Sequence, residues 1–245
     1  MSAKSVPLTD ALHDYIVAQR SNANDPILNA LVAETAALGG VSEMAITLDQ
    51  AALLSMLVTL IGAKWAVEIG TFTGMSSISI ARNLQPAGKL ICFDQDLRYT
   101  GIAKRYWQKA GLLERIELKI GDARRLLPHY RPHNPIDFIF IDADKESYEL
   151  YFEALMPYVR NGGLILFDNT LRGGRVIDPA HQNDPDVRAM RQLNAKLAQD
   201  PRLQTVLLPI ADGLTICRKL NILGNDARRL TETRRITETR IIGTN

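Results

Sequence analysis

Two short stretches of the chain gather oxygen donors at the ends of apolar runs. Residues 136–141 lead directly into Asp142-Ala143-Asp144-Lys145, and residues 164–167 lead into Asp168-Asn169. An acid after a strand often does no more than cap the next helix. Two acids abutting runs this apolar, one with an amide beside it, form a more specific pattern. If the two strands are neighbours, Asp142, Asp168 and Asn169 bring three hard oxygens to one edge of a sheet. That donor set suits Mg²⁺, or Mn²⁺ or Ca²⁺, and leaves positions open for water or substrate. The four histidines, at 13, 129, 133 and 181, are scattered, so a histidine-rich zinc site is not available.

A second pattern begins at Glu68-Ile69-Gly70-Thr71-Phe72-Thr73-Gly74, which leaves one strand and enters a helix near Ser76. Gly70 permits a tight turn and close approach of backbone to ligand, and Gly74 does the same at the helix entrance. Asp94 closes the next strand, 24 positions after Gly70, where a carboxylate can accept the hydroxyls of a ribose. Phe72 stands where a dinucleotide fingerprint has its middle glycine, and no third glycine follows. Glu68 would repel a pyrophosphate but tolerate an ammonium or sulfonium group. A cofactor with a ribose and no phosphate fits these features, and S-adenosylmethionine is one. Glycines that merely turn the chain remain the alternative. Asp122 and Ala123 follow the third strand, where they can line an adenine pocket, with Asp122 serving equally as a helix cap.

The elements that must position these residues follow from periodicity. The pattern from Pro7 to Leu60 is helical, ending in a helix over 48–61. Short β-branched runs then alternate with amphipathic segments. Strands are expected at 65–69, 89–93, 116–120, 136–141, 164–167, 203–208 and 214–218. Helices are expected at 76–83, 97–110, 123–127, 147–159 and 185–199. Such alternation implies right-handed crossovers and a mostly parallel sheet covered on both faces, with ligands beyond the carboxyl ends of its strands.

The 245 residues, 46% of them hydrophobic, suffice for one sizeable α/β domain. A formal charge of +2 without a basic, aromatic-laced stripe argues against nucleic acid as a partner. Cys92 and Cys217 lie far apart inside apolar runs and read as buried thiols of a reducing compartment. The opening residues carry no secretory signal. The longest apolar stretch, 51–63, is shorter than the roughly 20 residues a bilayer requires. A cytoplasmic protein with no membrane partner is expected. The closing near-repeat, Arg229-Leu-Thr-Glu-Thr-Arg234 and Arg235-Ile-Thr-Glu-Thr-Arg240, reads as a charged tail and is assigned no function.

From about Leu12 to Lys219 the chain resembles the caffeoyl-coenzyme A and catechol O-methyltransferase family of class I enzymes. The resemblance is carried by Val67-Glu-Ile-Gly-Thr-Phe-Thr-Gly74, Phe138-Ile-Phe-Ile-Asp-Ala-Asp-Lys145, Gly162-Gly-Leu-Ile-Leu-Phe-Asp-Asn-Thr170 and Ala211-Asp-Gly-Leu-Thr-Ile-Cys-Arg218. It implies a Rossmann-like, doubly wound α/β fold: a seven-stranded, mostly parallel sheet with one antiparallel strand and N-terminal helices over the active site. The expected organisation is one domain over 1–220, helical to 62 and Rossmann-like after it, with a tail over 221–245, and usually a homodimer. Carried over by position, Glu68, Gly70, Thr71, Ser76, Asp94 and Ala123 would hold S-adenosylmethionine, with Asp142, Asp144 and the backbone near Ile46 as further contacts. Asp142, Asp168 and Asn169 match the family's metal ligands, and Lys145 matches the lysine proposed as base in the catechol enzymes. The implied acceptor is a small catechol-type hydroxyl compound. Met75, Arg172 and Gly173 depart from the family's usual Tyr, Trp and polar substrate contact, and the loop 171–178 borders the acceptor pocket. A nicotinamide oxidoreductase and a non-catalytic cofactor-binding subunit are the rival readings. Phe72 and Glu68 argue against the first, and Asp142, Lys145, Asp168 and Asn169 against the second.

Overall fold

The computed structural model describes residues 6–21 and 23–221; the near-repeat and the rest of the expected tail beyond Asn221 lie outside the described residues. Seven strands form, β1 Trp65–Ile69, β2 Lys89–Asp94, β3 Ile116–Ile120, β4 Ile136–Ile141, β5 Val159–Phe167, β6 Leu203–Leu208 and β7 Leu214–Lys219. They make one sheet in the order β3-β2-β1-β4-β5-β7-β6. Strands β1 to β5 are parallel. Strand β7 runs antiparallel to both β5 and β6, so the one reversed strand lies a place in from the margin. Because β1 pairs with β2 on one side and β4 on the other, the winding reverses at β1. The crevice beyond its carboxyl end is where such sheets bind ligands.

The register of the central strands decides the geometry of the site. Ile69 lies opposite Ile141, and Ile141 opposite Phe167. The ladder continues one step further, with the Asp142 amide donating to Ile69 O at 2.8 Å and the Asp168 amide to Ile141 O at 3.0 Å. Gly70, Asp142 and Asp168 therefore stand side by side. Strand β4 is buried along its whole length, with Phe138 and Phe140 in one core and Ile136, Ile139 and Ile141 in the other, as a strand covered on both faces requires.

Strand β5 begins earlier than the sequence pattern suggests. Residues 159–163, expected as a helix end and a loop, are extended, and Val159 pairs with Ile136 before the register shifts to place Leu164 opposite Phe138. The glycine pair makes this bulge possible. Gly162 has φ +77°, and a Cβ on Gly163 would sit 2.8 Å from Val159 Cγ1 and 3.0 Å from Arg160 O. Asp137 ties the bulge down. It accepts from Arg160 Nε at 2.5 Å and from the amides of Lys64 and Trp65 at 2.8 and 2.7 Å.

The helices are α1 Asp10–Ala18, α2 Pro26–Ala36, α3 Leu48–Leu60, α4 Met75–Ala81, α5 Leu97–Lys109, α6 Ala123–Leu126, α7 Tyr148–Leu155 and α8 Pro185–Gln199. Local chemistry sets their starts: Asp25, Asp96, Asp122 and Asp184 each accept amides of the following turn, leaving fewer orphan donors there. Leu31 of α2 and Leu54 and Val58 of α3 share one core with Ile78, Trp107 and Phe138, while Tyr151, Phe152, Met190 and Leu193 fill the other. The stretch Gly39–Leu60 has the length of a membrane span and a hydropathy of 1.4. It is not one continuous helix, because Ala45 and Thr47 are extended between a 3-10 turn and α3. Along α3, Gln50, Ala51, Leu54 and Val58 are buried in the protein.

Candidate active site

The glycine turn is pressed against the tip of β4. Gly70 has φ +87°, and a Cβ there would lie 1.8 Å from the carbonyl oxygen of Asp142. Gly74, at φ +91°, caps α4, and a Cβ on it would meet Ala103 Cβ at 2.8 Å and Trp107 Nε1 at 2.9 Å. Between them Phe72 adopts φ +49°, left-handed for a bulky residue, with its ring 4.8 Å from that of Tyr99. Asp94 holds this conformation: its Oδ2 accepts from the amides of Thr71 and Phe72 at 2.8 and 3.0 Å, and its Oδ1 from the Asp96 amide at 2.8 Å. Three of its roughly four lone-pair sites are thus committed to backbone.

Glu68 lies behind the turn, fully buried. Its Oε2 accepts from Ser77 Oγ at 2.6 Å, Thr71 Oγ1 at 3.1 Å and Cys92 Sγ at 3.2 Å. Its Oε1 has no partner. Burial pushes its carboxyl up to about 7, with the hydrogen bonds from Ser77, Ser76, Cys92 and Thr71 pulling the other way.

At the neighbouring strand tips, Asp168 is 2% exposed. Burial first, and then the charge of Asp142, raise its carboxyl to about 7, against the Asn169 amide, Gln50 and Lys145. Asn169 has φ +55°, a conformation asparagine tolerates better than most side chains; its amide bonds Asp168 Oδ1 at 2.7 Å. Lys145 Nζ donates to Asp142 Oδ1 at 2.9 Å and to the Tyr148 oxygen at 2.7 Å. Asp144 accepts from Tyr151 OH at 2.5 Å. Asp122 accepts from the Arg124 amide and side chain, so it does serve as a helix cap.

A cavity of about 1130 Å³ joins both groups. Gly70, Thr71, Ser76, Asp94, Asp122 and Ala123 line one part of it, and Asp142, Asp144, Lys145, Asp168 and Asn169 another. Of the residues singled out in the sequence, Glu68 and Gly173 do not line it; Glu68 supports the turn from beneath. Among the described residues no three His, Cys, Asp or Glu side chains cluster to hold a metal; the strand tips offer two carboxylates, and their third oxygen belongs to an amide. A second cavity, about 760 Å³ along β2 and β3 between Trp65, Tyr130 and His133, holds none of these residues.

The sequence profile of the O-methyltransferase family matches residues 18–220. This chain belongs to the O-methyltransferase family. It is 39% identical over 176 residues to a protein of Dictyostelium discoideum named probable caffeoyl-CoA O-methyltransferase 2, covering 71% of this chain and 76% of that one. It is 38% identical over 232 residues to caffeoyl-CoA O-methyltransferase 2 of Petunia hybrida, covering 89% and 94%. Its fold matches the crystal structure of the O-methyltransferase from Bacillus cereus in complex with SAH, with a TM-score of 0.76 and 30% identity over 85% of this chain and 97% of that one. The protein is an S-adenosylmethionine-dependent O-methyltransferase with the seven-stranded, Rossmann-like sheet of class I enzymes.

Around this O-methyltransferase's cavity, Tyr148, Asp212, Thr47 and Gln50 carried no functional signal in the sequence, and Arg172 and Gly173 stood out only as departures from the family pattern. Tyr148 receives the Lys145 hydrogen bond from inside the core, and its spacing marked it only as a buried helix residue. Arg172 lines the cavity, turns the chain at φ +50° and bonds Asp186 Oδ2 through Nη2 at 2.8 Å, while its Nε is buried without a partner. The Gly173 amide donates to Asp212 Oδ1, which braces the loop after β5. Thr47 and Gln50 reach the cavity from the helical N-terminal region, where the sequence pattern signals only a helix start.

Proposed function

We propose that this enzyme moves the methyl group of S-adenosylmethionine onto one hydroxyl of a small vicinal diphenol, aided by a divalent cation, Mg²⁺ suiting the donor set best. One observation carries this reading: two carboxylates and an amide on adjoining strand tips open onto the same cavity as the glycine turn. A cation fits there chemically. Burial, and then the charge of Asp142, hold Asp168 at about 7, and a divalent charge beside them would offset both. The donor fits too, since Gly70, Thr71, Ser76, Asp94 and Ala123 line the cavity, whose volume of about 1130 Å³ is large for a single small ligand. The caffeoyl group in the relatives' names, itself a vicinal diphenol, supports the acceptor class.

A bound cation lowers the pKa of a hydroxyl that ordinarily ionises near ~10. The chain's own residues do the rest. Asp142, Asp168 and Asn169 would hold the cation. The turn from Gly70 to Gly74, with Ser76, Asp122 and Ala123, would seat the donor. Lys145 would take the hydroxyl proton on Nζ, steadied by Tyr148. The oxygen–methyl bond forms as the sulfur–methyl bond breaks, its electron pair staying on sulfur.

A methyl-transfer screen over vicinal diphenols, with Mg²⁺, Mn²⁺ or Ca²⁺ supplied in turn, tests the proposal. EDTA should abolish turnover while S-adenosylhomocysteine still binds by calorimetry. Undiminished turnover in EDTA would refute the role of the cation.

A further inference from the structure

Thr47-Leu48-Asp49-Gln50 opens α3 with the spacing of a helix capping box, in which the threonine hydroxyl takes an amide of the first turn and the glutamine reaches back. Neither half forms. Thr47 makes no side-chain bond to the helix, and Thr47 Oγ1 and both amide atoms of Gln50 are buried without partners. Gln50 is 0% exposed, yet it borders the large cavity together with Thr47. It lies beside Asp168. A buried carboxamide that faces the Asp168 carboxylate but completes no hydrogen bond of normal geometry is unfavourable, and native proteins rarely keep one without a ligand to satisfy it.

We infer that Gln50 positions the acceptor, its carboxamide hydrogen-bonding the acceptor hydroxyl that is not methylated, with the Thr47 hydroxyl beside it. A carboxamide both donates and accepts, which matches a hydroxyl on either count. An acceptor lacking that second hydroxyl leaves Gln50 unpaired, and sites built to bond a hydroxyl discriminate strongly against analogues without one. Helix α3 thereby reads the acceptor from the N-terminal region, a task separate from closing the core. This inference rests on the acceptor class proposed above.

Gln50→Leu keeps the size and removes both polar atoms. With protocatechuate as the probe, its KM should rise by about tenfold or more, and its meta-to-para product ratio should move about threefold or more toward unity. Affinity for S-adenosylhomocysteine should stay within about twofold. The melting temperature of the free protein should hold or rise, because an unpartnered amide has been taken out of a buried place. An unchanged KM and product ratio would overturn the inference. So would a fall in melting temperature of more than about 4 °C, which would make Gln50 a structural residue, or a loss of about tenfold in S-adenosylhomocysteine affinity, which would assign it to the donor. Failure of the parent reading shows separately, as a wild-type enzyme that methylates no vicinal diphenol with any of the three cations.

Discussion

Glu68 illustrates how a residue's place in the sequence can suggest one role and its burial another. Its position at the end of β1 suggested a carboxylate facing the ligand, but it is sealed behind the turn by Ser77, Thr71 and Cys92. Burial dominates its ionisation. In the unfolded chain it ionises near its ordinary 4.5, and in the folded protein it holds its proton to about 7. Between those values the folded state binds the extra proton, so this residue's contribution to stability is full below the lower value. It declines as pH rises through about 7, then levels. Glu68→Gln should flatten that slope, which melting curves taken from about pH 5 to about pH 8 would reveal; an unchanged slope would mean another group is responsible. Asp142 and Asp168 stood out because each directly follows an apolar strand, whereas Lys145 stood out only through the family resemblance. Gln50 did not, since a threonine and a glutamine at that spacing ordinarily serve the helix itself.

At the level of elements, alternating periodicity located every strand, and the outcome at the site depended on register, which periodicity does not contain. Gly70 is where register becomes chemistry. A methyl group there would collide with Asp142 O at 1.8 Å, a backbone atom that cannot swing aside. Gly70→Ala should therefore separate the tips of β1 and β4, weakening donor binding and turnover together by about tenfold or more and destabilising the fold by roughly 4 kcal/mol or beyond. Calorimetry with S-adenosylhomocysteine, beside a melt, measures both; normal donor affinity with lost turnover would contradict the coupling. The early start of β5 was hidden because Met156 and Val159 continue the apolar spacing of α7 while Gly162 and Gly163 resemble a loop. Their actual role is the bulge that Asp137 and Arg160 lock.

For the molecule as a whole, the resemblance anticipated the layering and the one reversed strand, while composition alone gave only the class. Among the described residues, those lining the large cavity fall between Glu43 and Asp212. A chain ended at Asn221 should keep kcat within about twofold of the full-length enzyme; a larger loss would assign the final residues a part in catalysis. The place of β7 inside the sheet has a further consequence. Thr170 and Leu171 donate their amides to Gly213 O and Asp212 O at 2.9 Å, and Thr215 Oγ1 reaches Thr170 Oγ1 at 3.1 Å. The segment just past Asp168 and Asn169 is braced by residues translated after α8. A nascent chain that has cleared α8 on the ribosome already owns its donor turn and both acids, but lacks the clamp that steadies one of them. Catalytic competence should thus arrive only with β7, and a message cut short before it should yield a protein folded in outline and idle in function.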